Sequence, residues 1–369
     1  MSNDKLIKVT DYLVQVIRCV LNNQKVEPIN DESFSYQDLY SLARFHQVEN
    51  IVFEGVRDYI DDPKLKNHLN KKYLQNITMC LTQEEEKKTL EKAFSEQKIK
   101  FMPVKGYYLR SLYPRDDFRF MSDFDILIEK GKHRKVKNMM KGLNYEVEQY
   151  NYYHHDEYTK KPFIMIEMHR TLLPQDDNNY SYYQDPFSLA KPIEDNKYCF
   201  KMSDEDLYIF NLVHFHKHYL AGGSGIRYLM DIYISLTRQN LNREYIASEC
   251  KKLKIEEFKA LVENIALKWF KEGLKINSLS DEELYIIQSG AFGTLKNHVE
   301  RNIDDYQGSK IKLIFKRTFP NVKRMKVLYP VLNKCILLLP FCYIHRVFRG
   351  IFSKSAHKEL KEINKKHSK

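Results

Sequence analysis

Residues 102–129 read MPVKGYYLRSLYPRDDFRFMSDFDILIE, and the end of this stretch decides the fold. Its last nine residues, MSDFDILIE, alternate apolar and other side chains, with Asp123 and Asp125 on the same side. In a β-strand, alternate residues face the same side of the sheet. The pattern therefore predicts a strand that buries one face and presents two carboxylates on the other, where both can hold one cation.

A second segment downstream repeats this arrangement. Residues 163–169, FIMIEMH, place apolar side chains on one face and Glu167 and His169 on the other. If the two strands are neighbours, Glu167 adds a third carboxylate to Asp123 and Asp125. Oxygen ligands suit Mg²⁺ or Mn²⁺, which complete their coordination with water and phosphate oxygens. The sequence therefore predicts a two-metal site that acts on a nucleoside triphosphate.

An Asp-x-Asp pair also occurs in many proteins that bind no metal, so the motif alone is weak. Two features of its surroundings strengthen it. Aspartate is unfavourable in a strand unless it caps, pairs or binds something, and here two occur in one apolar strand. A matching Glu-x-His strand also follows in the chain.

Residues 102–129 resemble the signature of an uncharacterised nucleotidyltransferase family within the DNA polymerase beta superfamily. The similar features are a strand that ends in Lys105-Gly106, a short helix that ends in Leu-Tyr-Pro, Arg119, and Asp-x-Asp. The later IEMHR and HFHKHYLAGGSGIRYLMDIY are similar to downstream motifs of that family, so the resemblance covers most of residues 99–240. The superfamily's usual Gly-Gly-Ser or Gly-Ser before the aspartates is replaced here by Lys105-Gly106.

The resemblance implies an α+β fold, with a polymerase-beta-like mixed sheet flanked by N-terminal and C-terminal helical regions. It also implies that Asp123, Asp125 and Glu167 are the catalytic residues and metal ligands, and that a nucleoside triphosphate is the donor. Genes of such proteins often lie among those for bacterial surface polysaccharides or natural products, and their acceptors are mostly unknown. The acceptor here stays open between a small molecule, a glycan, a lipid-linked phosphate and a protein.

Cations are required near the donor's phosphates, where arginine contacts them through a bidentate fork and lysine acts as a point charge. The similarity of HFHKHY and GIRYLMDI to the family adds two residues to those near the aspartates. The predicted nucleotide-binding residues are Lys105, Gly106, Arg119, Lys217 and Arg227.

Four residues are expected to support the site, namely His169, His214, His218 and Asp231. His169 would orient Glu167, contact the acceptor or serve as a hydrogen-bonded core histidine. Asp231 would orient Arg227 or His218. His214 and His218 share one helix face at a spacing that can ligate zinc, but no metalloprotease glutamate or nearby cysteine accompanies them. An ordinary polar helix face with a satisfied ion pair is the alternative for the residues on these helices.

Gly222-Gly223-Ser224 spells the superfamily's phosphate loop but follows the aspartates instead of preceding them. We therefore expect a turn between two helices, since glycine readily adopts positive φ.

Bulk composition indicates an intracellular globular protein. The chain has 369 residues, 43% hydrophobic and 13% aromatic, which allows two or three domains and excludes intrinsic disorder. Six cysteines without a C-x-x-C pair indicate neither a disulfide framework nor a cysteine zinc site. The first 24 residues read as an amphipathic helix rather than a signal peptide. We expect a cytoplasmic protein.

Positive charge is concentrated at the C-terminus. Residues 309–369 hold 16 Lys and Arg against two Glu, a net +14 in a chain of net +11, which leaves −3 for the remainder. Within this segment, the apolar residues 327–348 are interrupted by Lys334 and two prolines, and the longest uncharged run, residues 335–344, is too short to span a bilayer. A buried helical segment is favoured over an interfacial anchor on the inner membrane surface or a surface for a polyanionic acceptor.

Periodicity along the chain predicts four regions. Residues 1–98 form a helical subdomain, 99–200 the catalytic core, 201–308 a helical domain that completes the site, and 309–369 the basic and apolar segment. In the core, strands are predicted at 99–104, 123–129, 145–150 and 163–169, and helices at 106–113 and 132–143. Residues 180–195 are expected to be a connecting loop.

Two other classes of function stay open. A glycosyltransferase also uses Asp-x-Asp to hold a metal, but its donor fold usually has more alternating strands and helices before the motif than the helical first 97 residues provide. A non-catalytic nucleotide-binding or polyanion-binding module is the second alternative, and the intact acidic triad argues against it. No recognised reading motif accompanies the basic residues, so specific nucleic-acid binding is not expected.

Overall fold

The fold is described by a computed structural model that covers residues 2–299, 310–351 and 358. One mixed sheet of seven strands lies between helical regions, so the predicted α+β class is confirmed. The strands are β1 (Phe101–Pro103), β2 (Phe124–Ile128), β3 (Glu146–Tyr152), β4 (His155–Lys160), β5 (Ile164–His169), β6 (Ala190–Ile193) and β7 (Asn196–Met202).

Helices precede and follow the sheet. Before it lie α1 (Asn3–Leu21), α2 (Tyr36–Phe45), α3 (Glu49–Val56) and α4 (Pro63–Glu96), and within it α5 (Gly106–Leu109) and α6 (His133–Gly142). After it come α7 (Asp204–Ala221), α8 (Ile226–Arg238), α9 (Arg243–Leu253), α10 (Glu256–Leu267) and α11 (Asp281–Ser289). The C-terminal segment contains α12 (Lys310–Thr318), α13 (Val322–Leu328) and α14 (Leu339–Ile351).

The strand order is β3-β4-β5-β2-β1-β7-β6. Strand β2 runs parallel to β5 and antiparallel to β1, and β1 runs parallel to β7. The antiparallel pairs β3–β4 and β6–β7 form the two edges of the sheet. This order places the Asp-x-Asp strand at the centre of the sheet, directly beside the Glu-x-His strand.

The core strands predicted from apolar alternation are confirmed, whereas three strands were not expected. Strand β4 lies in a stretch without a predicted element, and β6 and β7 overlap or follow the predicted loop at 180–195. Their sequences, HDEYTK, AKPI and NKYCFKM, alternate weakly because much of each strand is only partly buried. These strands therefore form because they pair with neighbouring strands, and their local apolar pattern contributes less.

Two hydrophobic cores support the sheet. The larger one joins the N-terminal helices to α7–α11 and includes Leu13, Leu229 and Trp269. The smaller one packs the end of α4 and α6 against the other side of the sheet, through Phe94 and Val136 among others. The regions 1–98 and 201–308 thus share one core, and their division into separate units stays a prediction.

The C-terminal segment is largely exposed, and the prediction that its apolar run is buried is wrong for most of its residues. Met325, Leu332 and Cys342 form a small buried cluster, but Leu337 is 80% exposed and Phe341 is 67% exposed. One side of α14 meets α12 and the cluster around Met325, and the other side has no cover from the described residues. Among the described helices, none combines the length and apolarity that a bilayer crossing requires.

Candidate active site

The sheet brings together polar side chains from three adjacent strands. In the parallel pair β2–β5, Asp125 lies opposite Glu167. In the antiparallel pair β4–β5, Glu157 lies opposite Glu167 and His155 lies opposite His169. Because register partners on neighbouring strands share a face, these side chains line one patch of the sheet. The predicted approach of Asp125 and Glu167 is confirmed.

Direct contacts connect the centre of this patch. The ammonium of Lys105 donates to Asp125 Oδ1 at 2.5 Å, and His169 Nε2 lies 2.8 Å from the same oxygen. His169 Nε2 is also 3.4 Å from Glu167 Oε2. One potential ligand atom each from Asp125, Glu167 and His169 lies within 4.8 Å of the other two. These residues can therefore coordinate one ion together.

Electrostatics keep the central pair charged. Burial of Asp125, which is 6% exposed, disfavours the carboxylate, but the charge of Lys105 and the hydrogen bond from His169 outweigh burial and lower its pKa. Burial likewise disfavours the ammonium of Lys105, but attraction to Asp125 and Glu167 raises its pKa above the usual value. Burial opposes ionisation of Glu167 as well, and the hydrogen bond from His169 reverses this and lowers its pKa.

Asp123 lies at the edge of the patch, one residue before β2. Its Oδ1 accepts a hydrogen bond from Ser122 Oγ at 2.8 Å. Burial and the negative charge of Asp125 raise its pKa. A divalent cation between Asp123 and Asp125 would remove this repulsion. Among the described residues, Asp123 belongs to no group of potential metal ligands, so the structure brings together only Asp125 and Glu167 of the three predicted carboxylate ligands. Their oxygens suit Mg²⁺ or Mn²⁺.

Lys105 has an unusual backbone conformation that aims its side chain at Asp125. Its φ of 56° and ψ of −125° belong to a region that favours glycine. The next residue must be small, because a Cβ on Gly106 would lie 2.8 Å from Arg119 Nη1. This tight turn places Lys105 directly before α5, which begins at Gly106.

Arg119 is held by a buried carboxylate from α8. Its Nε and Nη2 donate to the two oxygens of Asp231, at 3.0 and 2.7 Å. Tyr113 donates to the same carboxylate at 2.7 Å. Asp231 thus pairs with Arg119, and the expectation that it orients Arg227 or His218 is wrong. With its guanidinium satisfied in this way, Arg119 is a support of the fold beside the site.

Arg227, in contrast, has no acidic partner within 4 Å among the described residues. Its Nη1 donates to Gln47 Oε1 at 2.5 Å and lies 3.4 Å from the Phe120 carbonyl oxygen, while its buried Nε has no partner. Burial and repulsion by Arg119 lower its pKa. This guanidinium, with its unpaired Nε, offers a binding group for an anion.

Lys217 lies on α7 and lines a cavity of about 900 Å³. Asp176, Asp177 and Lys254 also line the cavity. Burial lowers the pKa of Lys217, and the charge of Asp177 opposes this effect. The charge of Lys105 lowers the pKa further, although none of the described residues that line the cavity belongs to the carboxylate patch.

His214 and His218 contact each other instead of a carboxylate. Their Nε2 atoms are 3.1 Å apart, and His214 Nδ1 lies 3.2 Å from the Tyr228 hydroxyl. Burial, followed by the positive charge of Lys105, lowers the pKa of both rings. The two histidines therefore form a neutral, hydrogen-bonded face of α7 near the site.

The Gly222-Gly223-Ser224 segment forms the predicted turn between α7 and α8. Gly222 and Gly223 have φ values of 149° and 93°. A Cβ on Gly223 would lie 1.8 Å from Ser289 Oγ, so packing against α11 also requires a glycine there.

Sequence reasoning missed His154, His155 and Glu157. His154 lies in the turn between β3 and β4, and the other two residues belong to β4. The spacing His155-x-Glu157 repeats the two-residue period of Glu167-x-His169 and was the available signal. It lacked the apolar alternation that identified β2 and β5.

The sequence model of a protein family described as uncharacterised nucleotidyltransferase matches residues 32–271. The matched region includes all seven strands and every predicted site residue. No protein of curated function matches the chain.

Proposed function

Because the chain belongs to the uncharacterised nucleotidyltransferase family, we propose that it moves a nucleoside monophosphate from a nucleoside triphosphate to an acceptor hydroxyl or phosphate. An acceptor oxygen forms a bond to the α-phosphorus, the bond from this phosphorus to the bridging oxygen breaks, and pyrophosphate leaves. The in-register approach of Asp125 and Glu167, with Lys105 beside them, is the main structural support. The family match favours this reaction over that of an Asp-x-Asp glycosyltransferase.

The acidic patch suits a metal-dependent reaction. Lys105 and His169 both contact Oδ1 of Asp125, which leaves its Oδ2 as a ligand atom. Mg²⁺ or Mn²⁺ held by Asp123, Asp125 and Glu167 would bind triphosphate oxygens and lower the pKa of the acceptor hydroxyl.

The chain's own cations would position the donor. Lys105 and Lys217 would attract its phosphates as point charges, and Arg227 would contact them through its unpaired Nε. Glu167, which is partly exposed, would accept the proton from an acceptor hydroxyl.

Nucleotidyl transfer is tested by incubating the purified chain with each α-labelled nucleoside triphosphate, Mg²⁺ or Mn²⁺, and a cell extract that supplies acceptors. We expect pyrophosphate release and a labelled product, both abolished by EDTA. Asp125→Asn should abolish both while the protein stays folded, and Asp195→Asn, at an exposed site, should not. Orthophosphate release instead of pyrophosphate, or full activity in Asp125→Asn, would refute the proposal.

We also propose that the C-terminal segment binds an anionic membrane surface. Phe341, Ile344, Phe348 and Ile351 are each more than half exposed and form one stripe along α14. The surrounding segment is strongly basic. An exposed apolar stripe within basic sequence is typical of interfacial helices, which insert the stripe while cations attract anionic lipids. Binding there would bring a lipid-linked or surface glycan acceptor to the site.

Membrane binding is tested by flotation with vesicles of phosphatidylglycerol and phosphatidylcholine. The wild-type chain should float with the anionic vesicles, less at high salt, and remain unbound with pure phosphatidylcholine. Leu337→Asp with Phe341→Asp should abolish flotation, while Leu81→Asp, at another exposed apolar site on α4, should not. Unchanged flotation of the double variant would show that this apolar stripe does not contact lipid. The same conclusion would follow if the double variant changed the oligomeric state and the wild-type chain did not bind vesicles.

A further inference from the structure

Three histidine rings converge next to the carboxylate patch, and the proposed transfer reaction does not explain them. The ring centroids of His154 and His155 are 4.8 Å apart, and each lies 5.3 Å from that of His169. One ring nitrogen of each residue lies within 4.8 Å of those of the other two. The cluster arises because β4 and β5 pair His155 with His169, while the preceding turn supplies His154.

Two neighbouring carboxylates fix which nitrogen of the neutral rings carries the proton. His169 Nε2 lies 2.8 Å from Asp125 Oδ1, and His155 Nε2 lies 3.2 Å from Glu157 Oε1. A carboxylate only accepts hydrogen bonds, so Nε2 must donate in both rings. Burial disfavours the imidazolium of His169, but its hydrogen bonds to Asp125 and Glu167 outweigh burial and raise its pKa. A metal ion would therefore displace the second proton of this ring. In the neutral form of both rings Nδ1 is a lone pair, which is the form of imidazole that binds a metal ion.

The Nδ1 atoms of all three rings are buried without a hydrogen-bond partner. His169 as a whole is only 3% exposed. A buried ring nitrogen without a hydrogen-bond partner costs about 1–3 kcal/mol. A cation bound by one nitrogen of each neutral ring would give all three a partner. Pairing of a histidine with a carboxylate is the usual outer arrangement around a metal-binding imidazole.

We propose that His154, His155 and His169 bind a zinc ion through Nδ1, with a water or substrate oxygen as the fourth ligand. Imidazole nitrogens suit zinc, whereas Mg²⁺ prefers oxygen ligands, so the donor sets separate this site from the acidic one. Zinc–nitrogen bonds of about 2.0–2.1 Å require the rings to close slightly around the ion. His169 joins the two sites, since its Nε2 donates to Asp125 and its Nδ1 binds zinc.

Zinc binding is tested on the full-length chain by loading with excess Zn²⁺, desalting and measuring metal by mass spectrometry. We expect one zinc ion per wild-type chain and background zinc in His154→Ala. Two controls should keep the metal. His68→Ala removes an exposed histidine of α4, and Asp123→Asn removes a carboxylate of the acidic patch.

The affinity of the site gives a second measurement that does not require losing a ligand. Glu157→Gln should weaken zinc binding about 10–100-fold in competition with a chromophoric chelator, because Glu157 orients the ring of His155. This variant also decides the matter if His154→Ala fails to fold.

Three results would overturn the proposal: no zinc retained by the wild type, equal zinc in His154→Ala, or loss of zinc from Asp123→Asn but not from His154→Ala. The last would place the ion among the carboxylates. Zinc content does not depend on turnover, so failure of the transferase proposal and failure of this one are distinguishable.

Discussion

The carboxylate of Asp231 receives two hydrogen bonds from the guanidinium of Arg119, although the residues are 112 positions apart. Arg119 is 7% exposed and Asp231 is 5% exposed. The pair connects the segment before β2 to α8, and so fixes the catalytic sheet against the helical region that follows it. Buried pairs of this kind are costly to break, because the charge that remains is buried away from water and has no partner of opposite charge.

Removal of Asp231 should therefore destabilise the fold. We expect Asp231→Ala to lower the free energy of unfolding by about 3–5 kcal/mol, measured by urea denaturation. Tyr113→Phe, which removes one hydrogen bond to the same carboxylate, should cost about 1 kcal/mol. Lys88→Ala disrupts an exposed ion pair and should leave the midpoint of urea denaturation unchanged. If Asp231→Ala behaves like Lys88→Ala, the pair does not stabilise the fold.

Arg227 should show the opposite effect on stability. Its guanidinium is buried, lies near the like charge of Arg119 and has an unpaired Nε. Arg227→Met should therefore leave the free energy of unfolding unchanged or raise it. The same substitution should weaken nucleoside triphosphate binding about 10–100-fold, since a hydrogen bond to a charged group contributes about 1.5–3 kcal/mol. Calorimetric titration with a non-hydrolysable analogue measures the affinity, and an unchanged affinity would exclude Arg227 from the donor site.

The part of the site that could be predicted from the sequence depends on local periodicity. Strands β2 and β5 each place apolar residues on one face, and this alternation placed Asp125 and Glu167 on the opposite face of the same sheet. The family resemblance supplied the order of the motifs. Together they predicted the fold class, the acidic patch and the helix–turn–helix that follows it.

The remaining contacts depend on pairing between distant segments, which local patterns do not report. Strand β4, HDEYTK, has Tyr158 as its one large apolar residue, so its period of two is hidden and His155 and Glu157 were missed. The partner of Asp231 lies in a different region of the chain. For α14, an apolar run predicts burial, but only the packing shows that one side has no described neighbour.

The backbone of Lys105 leads to a prediction that separates strain from charge. Lys105→Met removes the ion pair with Asp125 and keeps a side chain at φ 56°. Lys105→Gly removes the same ion pair but relieves a conformation that costs a non-glycine residue about 1–3 kcal/mol. After the greater entropy of glycine in the unfolded chain is allowed for, Lys105→Gly should be about 1 kcal/mol more stable than Lys105→Met. Both should lack transferase activity.

Urea denaturation of the two Lys105 variants gives the comparison directly, because the lost ion pair cancels between them. A glycine variant that is less stable than the methionine variant would show that the turn is not strained. Activity retained in either variant would remove Lys105 from the proposed phosphate-binding residues.

His46 should make stability depend on pH. Its Nε2–H donates to the Ile287 carbonyl oxygen at 3.1 Å, and its Nδ1 accepts from the Ile226 N–H at 3.3 Å. The ring is fully buried, and burial lowers its pKa to about 3. A second proton would put a charge on a ring that is buried away from water, and it would break the hydrogen bond from the Ile226 N–H. The neutral ring therefore ties α2 to the start of α8 and to α11.

The direction of the pH effect follows from the lowered pKa. An unfolded chain protonates His46 near pH 6.5, whereas the folded chain resists protonation until about pH 3. Stability from this group is therefore complete above pH 6.5 and is lost as the pH falls from 6.5 toward 3, by up to about 1.4 kcal/mol per unit. His46→Gln keeps a donor for Ile287 but cannot titrate. The free energy of unfolding of wild type minus that of His46→Gln, measured by urea denaturation, should fall by about 3 kcal/mol between pH 7.5 and pH 4.5. Other histidines titrate equally in both proteins, so a deficit that stays constant with pH would mean that His46 is not held neutral in the folded chain.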